Sequence, residues 1–244
     1  SNNTAVGYNT LCANTSGTSN TAIGYLSLNS CVTSSHDTAI GNGALLLNTA
    51  GQNTAVGSLA LTKNTTGAAN VAVGYNSMGN NTTGVTNTAI GNDSLFTNTT
   101  SSNNTAVGRS ALLLSTGQQN TAVGSLALDA NTSASDNTSI GYNSLTVSTT
   151  GTRLVALGSL SLVANITGND NIAIGYGAMC NSTTSVGSRN VIIGSFAGNN
   201  MGDGSNNILI GYNTDTSSTN VQGAIAVGID TNADISNSVR IHCG

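Results

Sequence analysis

Histidine and cysteine, which supply many of the nucleophiles, bases and metal ligands of proteins, are rare in this chain. His36 and His242 stand near opposite ends of the 244 residues, so they predict neither a Ser–His–Asp triad nor a shared metal site. We expect both at the surface. The cysteines lack the spacing of zinc ligands, and Cys12 and Cys31 hold different positions of the repeat described below, which is awkward for a disulfide. We therefore expect free thiols at Cys12, Cys31, Cys180 and Cys243.

Carboxylates are few, and all nine are aspartates. Asp136 and Asp170 fall at the same position two repeats apart, near the upper end of the roughly 5–10 Å that separates the paired acids of glycosidases. Arg153 lies between them in the same column, so ion pairing explains these aspartates better than catalysis. The nonapeptides of calcium-binding β-rolls and glycine-rich phosphate loops are both missing from the sequence. No catalytic, metal-binding or cofactor-binding residue is predicted.

The tyrosines share one sequence context, directly after a glycine. Other residues in that column are mostly Ser and Asn, with one Arg, so we expect it to be partly exposed. Such aromatic rims could contact a sugar or a host protein, and packing over the glycine is the alternative explanation. These candidate contact residues are Tyr8, Tyr25, Tyr75, Tyr142, Tyr176 and Tyr212.

The composition excludes several classes of protein. Charged residues are 6% of the chain and aromatic residues 3%, with no Pro or Trp and a net charge of −4, whereas about 25% charged residues is typical. Five basic residues are too few for a nucleic-acid surface. No apolar run approaches the roughly 20 residues of a membrane span. Polar low-complexity chains are often disordered, but here the apolar residues are periodic.

An internal repeat explains that periodicity, and it is most visible where NTAVGSLAL occupies residues 53–61 and again residues 120–128. The glycines that close the NTAVG-like blocks are 16 to 19 residues apart. This unit is too short for helical-pair repeats and suits one coil of a β-solenoid with two short strands and two turns. The repeat glycines are Gly7, Gly24, Gly41, Gly57, Gly74, Gly91, Gly108, Gly124, Gly141, Gly158, Gly175, Gly194, Gly211 and Gly228.

The columns of the repeat predict how each coil is built. Val, Ile or Leu precedes the glycine, Ala nearly always precedes that residue, and Thr, Val or Ile stands third, which is a period-two strand pattern. Four residues after the glycine, Leu or Met recurs from Leu11 to Met179 and predicts a core position in a second strand. Asn opens most strands, and we expect its amides to bond to their copies in the next coil.

We therefore predict an all-β fold, a parallel β-solenoid of about 14 coils. The sequence leaves open which strand face lines the interior, the Ala column or the Val/Ile column. A thin coil buries little by itself, so the other uniform face would meet a partner chain in a closed symmetric oligomer.

Charges of alternating sign stand five residues before the glycine in four consecutive coils, at Asp136, Arg153, Asp170 and Arg189. Opposite charges on adjacent strands attract, so this column predicts a ladder of Asp–Arg contacts. Coincidence in a polar turn is the alternative.

The turns also contain N-x-[ST] sites, which we expect to be accessible, so a glycosylating host could modify them. Turn chemistry alone explains these residues. The sites are Asn14, Asn64, Asn81, Asn98, Asn131 and Asn165.

The end of the chain departs from the pattern. Ile192 and Leu209 replace Ala, Asp215 falls where Leu should stand, and NSVRIHCG (237–244) is predicted to be a final exit strand. Terminal units of solenoids commonly deviate because an exposed end is an adhesive edge. We predict regular repeats over residues 1–194 and atypical coils over residues 195–244.

The blocks NTAVGYNTL (3–11), NTAIGYLSL (20–28) and NTSIGYNSL (137–145) resemble the head repeats of YadA-like trimeric autotransporter adhesins. They resemble still more closely the related repeats of bacteriophage tail fibres and of fibre-like proteins of large viruses, since adhesin-head repeats are shorter. The resemblance covers essentially the whole chain. It implies a left-handed β-roll, a homotrimer about one axis and an extracellular position on a virion or cell surface. NSVRIHCG resembles the strand that precedes a self-cleaving chaperone domain in some viral fibres.

Composition and resemblance together favour a non-enzymatic fibre or adhesin-head segment, an extended spacer with an attachment role. Its expected partners are copies of itself and a host-surface glycan or protein, with no cofactor, no nucleic acid and no membrane insertion. The alternative is a monomeric ice-binding solenoid, because threonines such as Thr21 and Thr38 could order water on a flat strand face. Against this alternative, the threonine column changes to Val or Ile in several coils, for example at Val71 and Ile172.

Overall fold

A computed structural model describes residues 2–180 and 187–242 of the chain. These residues form strands and turns without any helix, which confirms the all-β prediction. They divide into two compact units, residues 1–120 and 121–244. In each unit short parallel strands stack one per coil, so each unit is a parallel β-solenoid, as the repeat predicts.

The first unit contains seven three-residue strands that pair in chain order. Each residue pairs with its own equivalent in the next coil, for example Thr4 with Thr21 and Ala5 with Ala22. The repeat therefore sets the register directly. The strands are β1 (Thr4–Val6), β2 (Thr21–Ile23), β3 (Thr38–Ile40), β4 (Thr54–Val56), β5 (Val71–Val73), β6 (Thr88–Ile90) and β7 (Thr105–Val107).

The second unit continues the same plan with seven coils and a final strand. Strands β8 (Thr121–Val123), β9 (Thr138–Ile140), β10 (Val155–Leu157), β11 (Ile172–Ile174), β12 (Val191–Ile193), β13 (Ile208–Ile210), β15 (Ile225–Val227) and β17 (Val239–Ile241) pair in that order. Two shorter strands, β14 (Asp215–Thr216) and β16 (Asn232–Ala233), form a separate parallel pair. The predicted exit strand thus corresponds to β17, whereas Cys243 and Gly244 lie outside the described residues.

Alternation along each strand places its central residue inside the coil. Ala22, Ala39 and Ala55 are fully buried, while the Thr and the Val or Ile on either side point outward and are partly exposed. This settles the choice that the sequence left open, because the Ala column lines the interior and the Val/Ile column faces out.

The leucine column lies in a turn, so the prediction of a second strand in every coil is wrong. Leu28, Leu45 and Leu61 are fully buried, yet their φ angles are 47°, 50° and 50°, in the left-handed region that few non-glycine residues adopt. The residue two positions earlier also has a positive φ, as at Leu26 (57°) and Leu59 (60°), so the chain bends twice within three residues. Burying a leucine side chain stabilises by roughly 1.5–3 kcal/mol, which offsets the strain of about 1–2 kcal/mol at that leucine's own left-handed backbone.

The repeat glycine is required by the close approach of neighbouring coils. At Gly41 φ is 136°, and an added Cβ would lie 2.5 Å from the carbonyl oxygen of Gly57. The Gly57 N–H in turn donates to the Ile40 carbonyl at 2.7 Å. A side chain at this column would separate the coils and break that hydrogen bond.

The C-terminal coils fill their interior differently. Ile192 takes the Ala position and is fully buried, while Gly198 takes the Leu position. A Cβ added at Gly198 would lie 3.1 Å from Cγ2 of Ile192, so the larger strand residue occupies the space that the leucine vacates. At this end a larger strand residue therefore compensates for the missing leucine in the interior. The boundary between residues 194 and 195 stays a prediction.

Candidate functional site

An apolar stripe runs along the outward face of the strands in each unit. It consists of the third residue of each three-residue strand β1–β13 and β15, which is Val, Ile or Leu in every case. Strands are about 4.8 Å apart, so the seven strands of the first unit give a stripe roughly 30 Å long. Exposed apolar surface of that extent is typical of an interaction site. Its most exposed members are Val6, Ile23, Ile40, Ile90, Ile140, Leu157, Ile193 and Ile210.

A row of threonines lies beside the apolar stripe on the same face. Thr21, Thr38 and Thr54 open their strands and are partly exposed, and their hydroxyls make no hydrogen bond within the described part of the chain. In the turns the arrangement differs, because the hydroxyls of Thr49 and Thr65 donate to carbonyls of the next coil, both at 2.9 Å. The strand face therefore presents free hydroxyls next to methyl groups at coil spacing.

The tyrosines stand directly after the repeat glycines and have between 49% and 69% of their surface exposed. Tyr8 and Tyr25 stack with their ring centroids 5.7 Å apart. In the second unit, Phe196 contacts Tyr176 and Tyr212 edge to face, at centroid distances of 5.2 and 6.5 Å. Phe196 escapes the tyrosine pattern in the sequence because it stands two residues after its glycine, one position beyond the tyrosine column.

The four charged residues give one close contact rather than a ladder. Arg153 donates to both carboxylate oxygens of Asp170, at 2.6 and 3.0 Å, and this hydrogen bonding lowers the pKa of Asp170 and raises that of Arg153. Arg189 donates instead to Oδ1 of Asn206, at 2.8 Å. Both arginines reach forward to the following coil, which leaves Asp136 without an arginine in contact among the described residues.

The asparagines that open the strands bond chiefly to backbone, although Nδ2 of Asn190 also donates to Oδ1 of its copy Asn171, at 3.1 Å. Oδ1 of Asn20 accepts the N–H of Asp37 and its Nδ2 donates to the carbonyl of Ser34, both at 2.9 Å. The expectation of a continuous side-chain ladder in this column is therefore wrong. Each amide instead satisfies two backbone groups of the next coil.

A side-chain amide ladder does occur in the turn column of Asn48, Asn64, Asn81 and Asn98. Nδ2 of Asn64, Asn81 and Asn98 donates to Oδ1 of the asparagine one coil earlier, at 2.7, 2.8 and 2.8 Å respectively. These side chains are fully buried, as are Asn131 and Asn165. The expectation that the N-x-[ST] turns are accessible is wrong at five sites, since the amides lie inside the coil at Asn64, Asn81, Asn98, Asn131 and Asn165.

The remaining reactive groups are scattered. His36 and His242 are exposed, and Cys12, Cys31 and Cys180 are free thiols. Cys31 is fully buried, and burial raises its pKa. The described residues contain no group of three or more His, Cys, Asp or Glu that could hold a metal ion.

No helix in the described part of the chain is long and apolar enough to cross a membrane. An open polar cavity of about 290 Å³ lies in the last coil, lined by Asp230, Asp234, Arg240, His242 and two uncharged residues. Arg240 pairs with Asp234 at 2.8 Å and donates to the Asn232 carbonyl, so its charge is already partnered.

The fold and its exposed faces define a β-solenoid repeat protein. No protein-family model matches the chain, and no curated protein is significantly similar to it.

Proposed function

We propose that the chain is a non-enzymatic segment of a surface fibre or adhesin head, in which three copies associate through the apolar stripe. The coils form a left-handed roll that acts as an extracellular spacer on a virion or cell, and its attachment surface lies outside the stripe. The observation that carries this proposal is the apolar stripe itself, exposed in coil after coil.

Burial explains why association would stabilise the chain. A typical coil buries one strand Ala and one Leu or Met as its apolar core, while Ile23, Ile40 and Ile90 keep more than a third of their surface exposed. Each Å² of apolar surface removed from water contributes about 25 cal/mol, and the stripe repeats that gain in every coil. Closed three-fold association covers equivalent stripes on all copies. With 6% charged residues, the chain carries little charge repulsion against it.

Light scattering of the full chain without denaturant tests the proposal. We expect a mass near three chains for the wild type and near one chain for Ile23→Thr/Ile40→Thr/Ile90→Thr, because threonine keeps the strand propensity and removes apolar surface. Leu47→Thr/Leu114→Thr is the matched control, since both leucines are exposed, at 43% and 46%, but lie outside the stripe. A stable wild-type monomer, or equal dissociation of both variants, would contradict the proposal. Release of reducing sugar from a glycan would contradict its non-enzymatic part.

The free threonine row favours ice binding as a second candidate function. Hydroxyls without a protein partner, spaced at coil intervals beside methyl groups, can order water on a flat face. This function needs the face uncovered, so it requires a monomer. Thermal hysteresis of a monomeric sample that is lost in Thr21→Lys/Thr54→Lys would support it, whereas a trimer without hysteresis would exclude it.

A further inference from the structure

We propose that an aromatic ridge on the second unit, formed by Tyr142, Tyr176, Phe196 and Tyr212, binds a neutral, extended, β-1,4-linked glycan. This inference rests on the attachment role proposed above and names its ligand class. The ridge lies just beyond the repeat glycines, two residues past the apolar stripe. The stripe can therefore serve association while the ridge binds the glycan.

The backbone fixes the spacing of the ridge. The N–H of Leu160 donates to the Tyr142 carbonyl and that of Phe196 to the Tyr176 carbonyl, both at 2.9 Å, which holds successive coils in register at the ridge. The three tyrosines stand in every second coil, about 9.6 Å apart. Along an extended β-1,4-linked chain the sugar rings alternate in orientation, so the same face recurs at every second sugar. That disaccharide repeat is close to the two-coil spacing.

Three of the four rings contact one another before any ligand binds. Phe196 lies edge-on to both neighbouring tyrosines, with interplanar angles of 86° to Tyr176 and 87° to Tyr212. Gly177 makes room for it, because a Cβ there would lie 3.1 Å from Cδ1 of Phe196. A preorganised aromatic surface loses little conformational freedom on binding, and large rigid rings supply contact area at low entropic cost.

The chemistry of the ridge fits a neutral polyhydroxylated ligand. No residue from 142 to 213 in the two positions after the repeat glycines is charged. The tyrosine hydroxyls have no hydrogen-bond partner among residues that the structure describes. Ser159 and Ser195 lie between the tyrosines and donate to the carbonyls of Tyr142 and Tyr176, both at 3.2 Å, so their oxygens can still accept from sugar hydroxyls.

The first unit supplies a natural control. Tyr8 and Tyr25 lie in adjacent coils and stack nearly parallel, at 9°, so they cover each other's faces. Tyr75 is 54% exposed, but Ser58 and Asn92 hold the same position in the coils on either side. A single tyrosine cannot follow a repeating ligand, so Tyr75 should not contribute.

The test is titration of the full chain with chitohexaose and cellohexaose, with the α-linked maltohexaose as the control ligand. Calorimetry and tyrosine fluorescence report binding, and the chain has no Trp to obscure the signal. We expect saturable binding of at least one β-1,4-linked hexasaccharide and weaker binding of maltohexaose, whose chain curves. Tyr176→Ala and, separately, Tyr212→Ala should weaken binding about 5- to 10-fold, and Tyr75→Ala less than about twofold.

The inference would be overturned by no binding of either β-1,4-linked hexasaccharide, by equal weakening in Tyr75→Ala, or by equal affinity for maltohexaose. Capture of a protein ligand through the ridge without saccharide binding would also overturn it. Light scattering of the same samples keeps the two proposals apart, because a trimer that binds no glycan contradicts only the ridge, and a monomer that binds contradicts only the association.

Discussion

Oδ1 of Asp37 accepts a hydrogen bond of 2.9 Å from the backbone N–H of Asn53, the bond that asparagine Oδ1 atoms accept at this position in neighbouring coils. Asp37 is fully buried, and this burial raises the pKa of its carboxyl. Its Oδ2 accepts a hydrogen bond from Nδ2 of Asn48 at 3.0 Å. In neighbouring coils the asparagine at the Asp37 position instead donates from Nδ2 to a carbonyl of the next coil. One coil therefore has an ionisable group where its neighbours have neutral amides.

Replacing Asp37 by Asn should stabilise the protein at neutral pH. Because the folded-state pKa is raised, the stability that protonation contributes is fully present below the unfolded-state pKa, near 3.9, and is lost as the pH rises through the folded-state value. Asn is neutral throughout. We expect Asp37→Asn to raise the free energy of unfolding by about 1–2 kcal/mol at pH 7, and the gain to shrink as the pH falls toward 4. Urea denaturation at both pH values measures it.

The control is Asp136→Asn, since Asp136 is exposed. That variant should change the unfolding free energy little at either pH. A gain at Asp37 that does not depend on pH, or an equal gain at Asp136, would show that the buried charge is not the cause.

The sequence predicts the coils because every coil packs against a near copy of itself. Pairing of Ala5 with Ala22 follows directly from their common position in the repeat. The backbone conformation at a given position of the repeat is harder to predict from the sequence. A buried leucine such as Leu45 fills the interior equally well from a strand or from a left-handed turn, and only the packing of neighbouring coils selects the turn.

The sequence also does not predict which neighbouring coil a side chain reaches. The alternation of Asp136, Arg153 and Asp170 is symmetric in the sequence, but the arginine reaches only the following coil. The amide ladder was expected among residues such as Asn20 and occurs instead among residues such as Asn64. Both columns are rich in asparagine, and the geometry of the coil decides which amides reach each other.

The repeat glycine should tolerate no side chain. Gly41→Ala would place a Cβ 2.5 Å from the Gly57 carbonyl oxygen at a φ of 136°, so we expect a loss of at least about 3 kcal/mol in the free energy of unfolding. Gly43 is the matched control, two residues away. Its φ is 62°, and a Cβ there would meet only Leu59 Cδ2 at 3.3 Å and Thr62 Oγ1 at 3.8 Å.

Gly43→Asn should therefore be neutral or slightly stabilising, since asparagine tolerates this region and restricts the unfolded chain. Thermal and urea unfolding of the two variants measure the contrast. Similar losses at both positions would mean that φ alone, rather than the approach of the next coil, makes the repeat glycine necessary.

A second run of stacked amides can be built in the turn column of the second unit, where Ser148 stands between Asn131 and Asn165. Ser148 is fully buried, and its hydroxyl has no hydrogen-bond partner in the structure. Ser148→Asn converts residues 148–151 to NTTG, the same four residues as at 64–67. We expect a gain of about 1 kcal/mol in unfolding free energy, measured by urea denaturation. Ser133→Asn, at an exposed turn residue, should change little, and destabilisation at Ser148 would mean that the larger amide does not fit there.

The Arg153–Asp170 contact should affect the pKa of Asp170 measurably but leave the free energy of unfolding nearly unchanged. A hydrogen bond from Arg153 is the main cause of the lowered pKa of Asp170, and attraction by Arg189 contributes less. A lowered carboxyl pKa stabilises above the unfolded-state value, and that stability is lost as the pH falls through the folded-state value. Both side chains are exposed, at 58% and 39%, so solvent screens the gain. We expect NMR titration to show the pKa of Asp170 rising in Arg153→Gln and rising less in Arg189→Gln, with unchanged urea midpoints. An equal rise in both variants would mean that long-range attraction, rather than the hydrogen bond, sets the pKa.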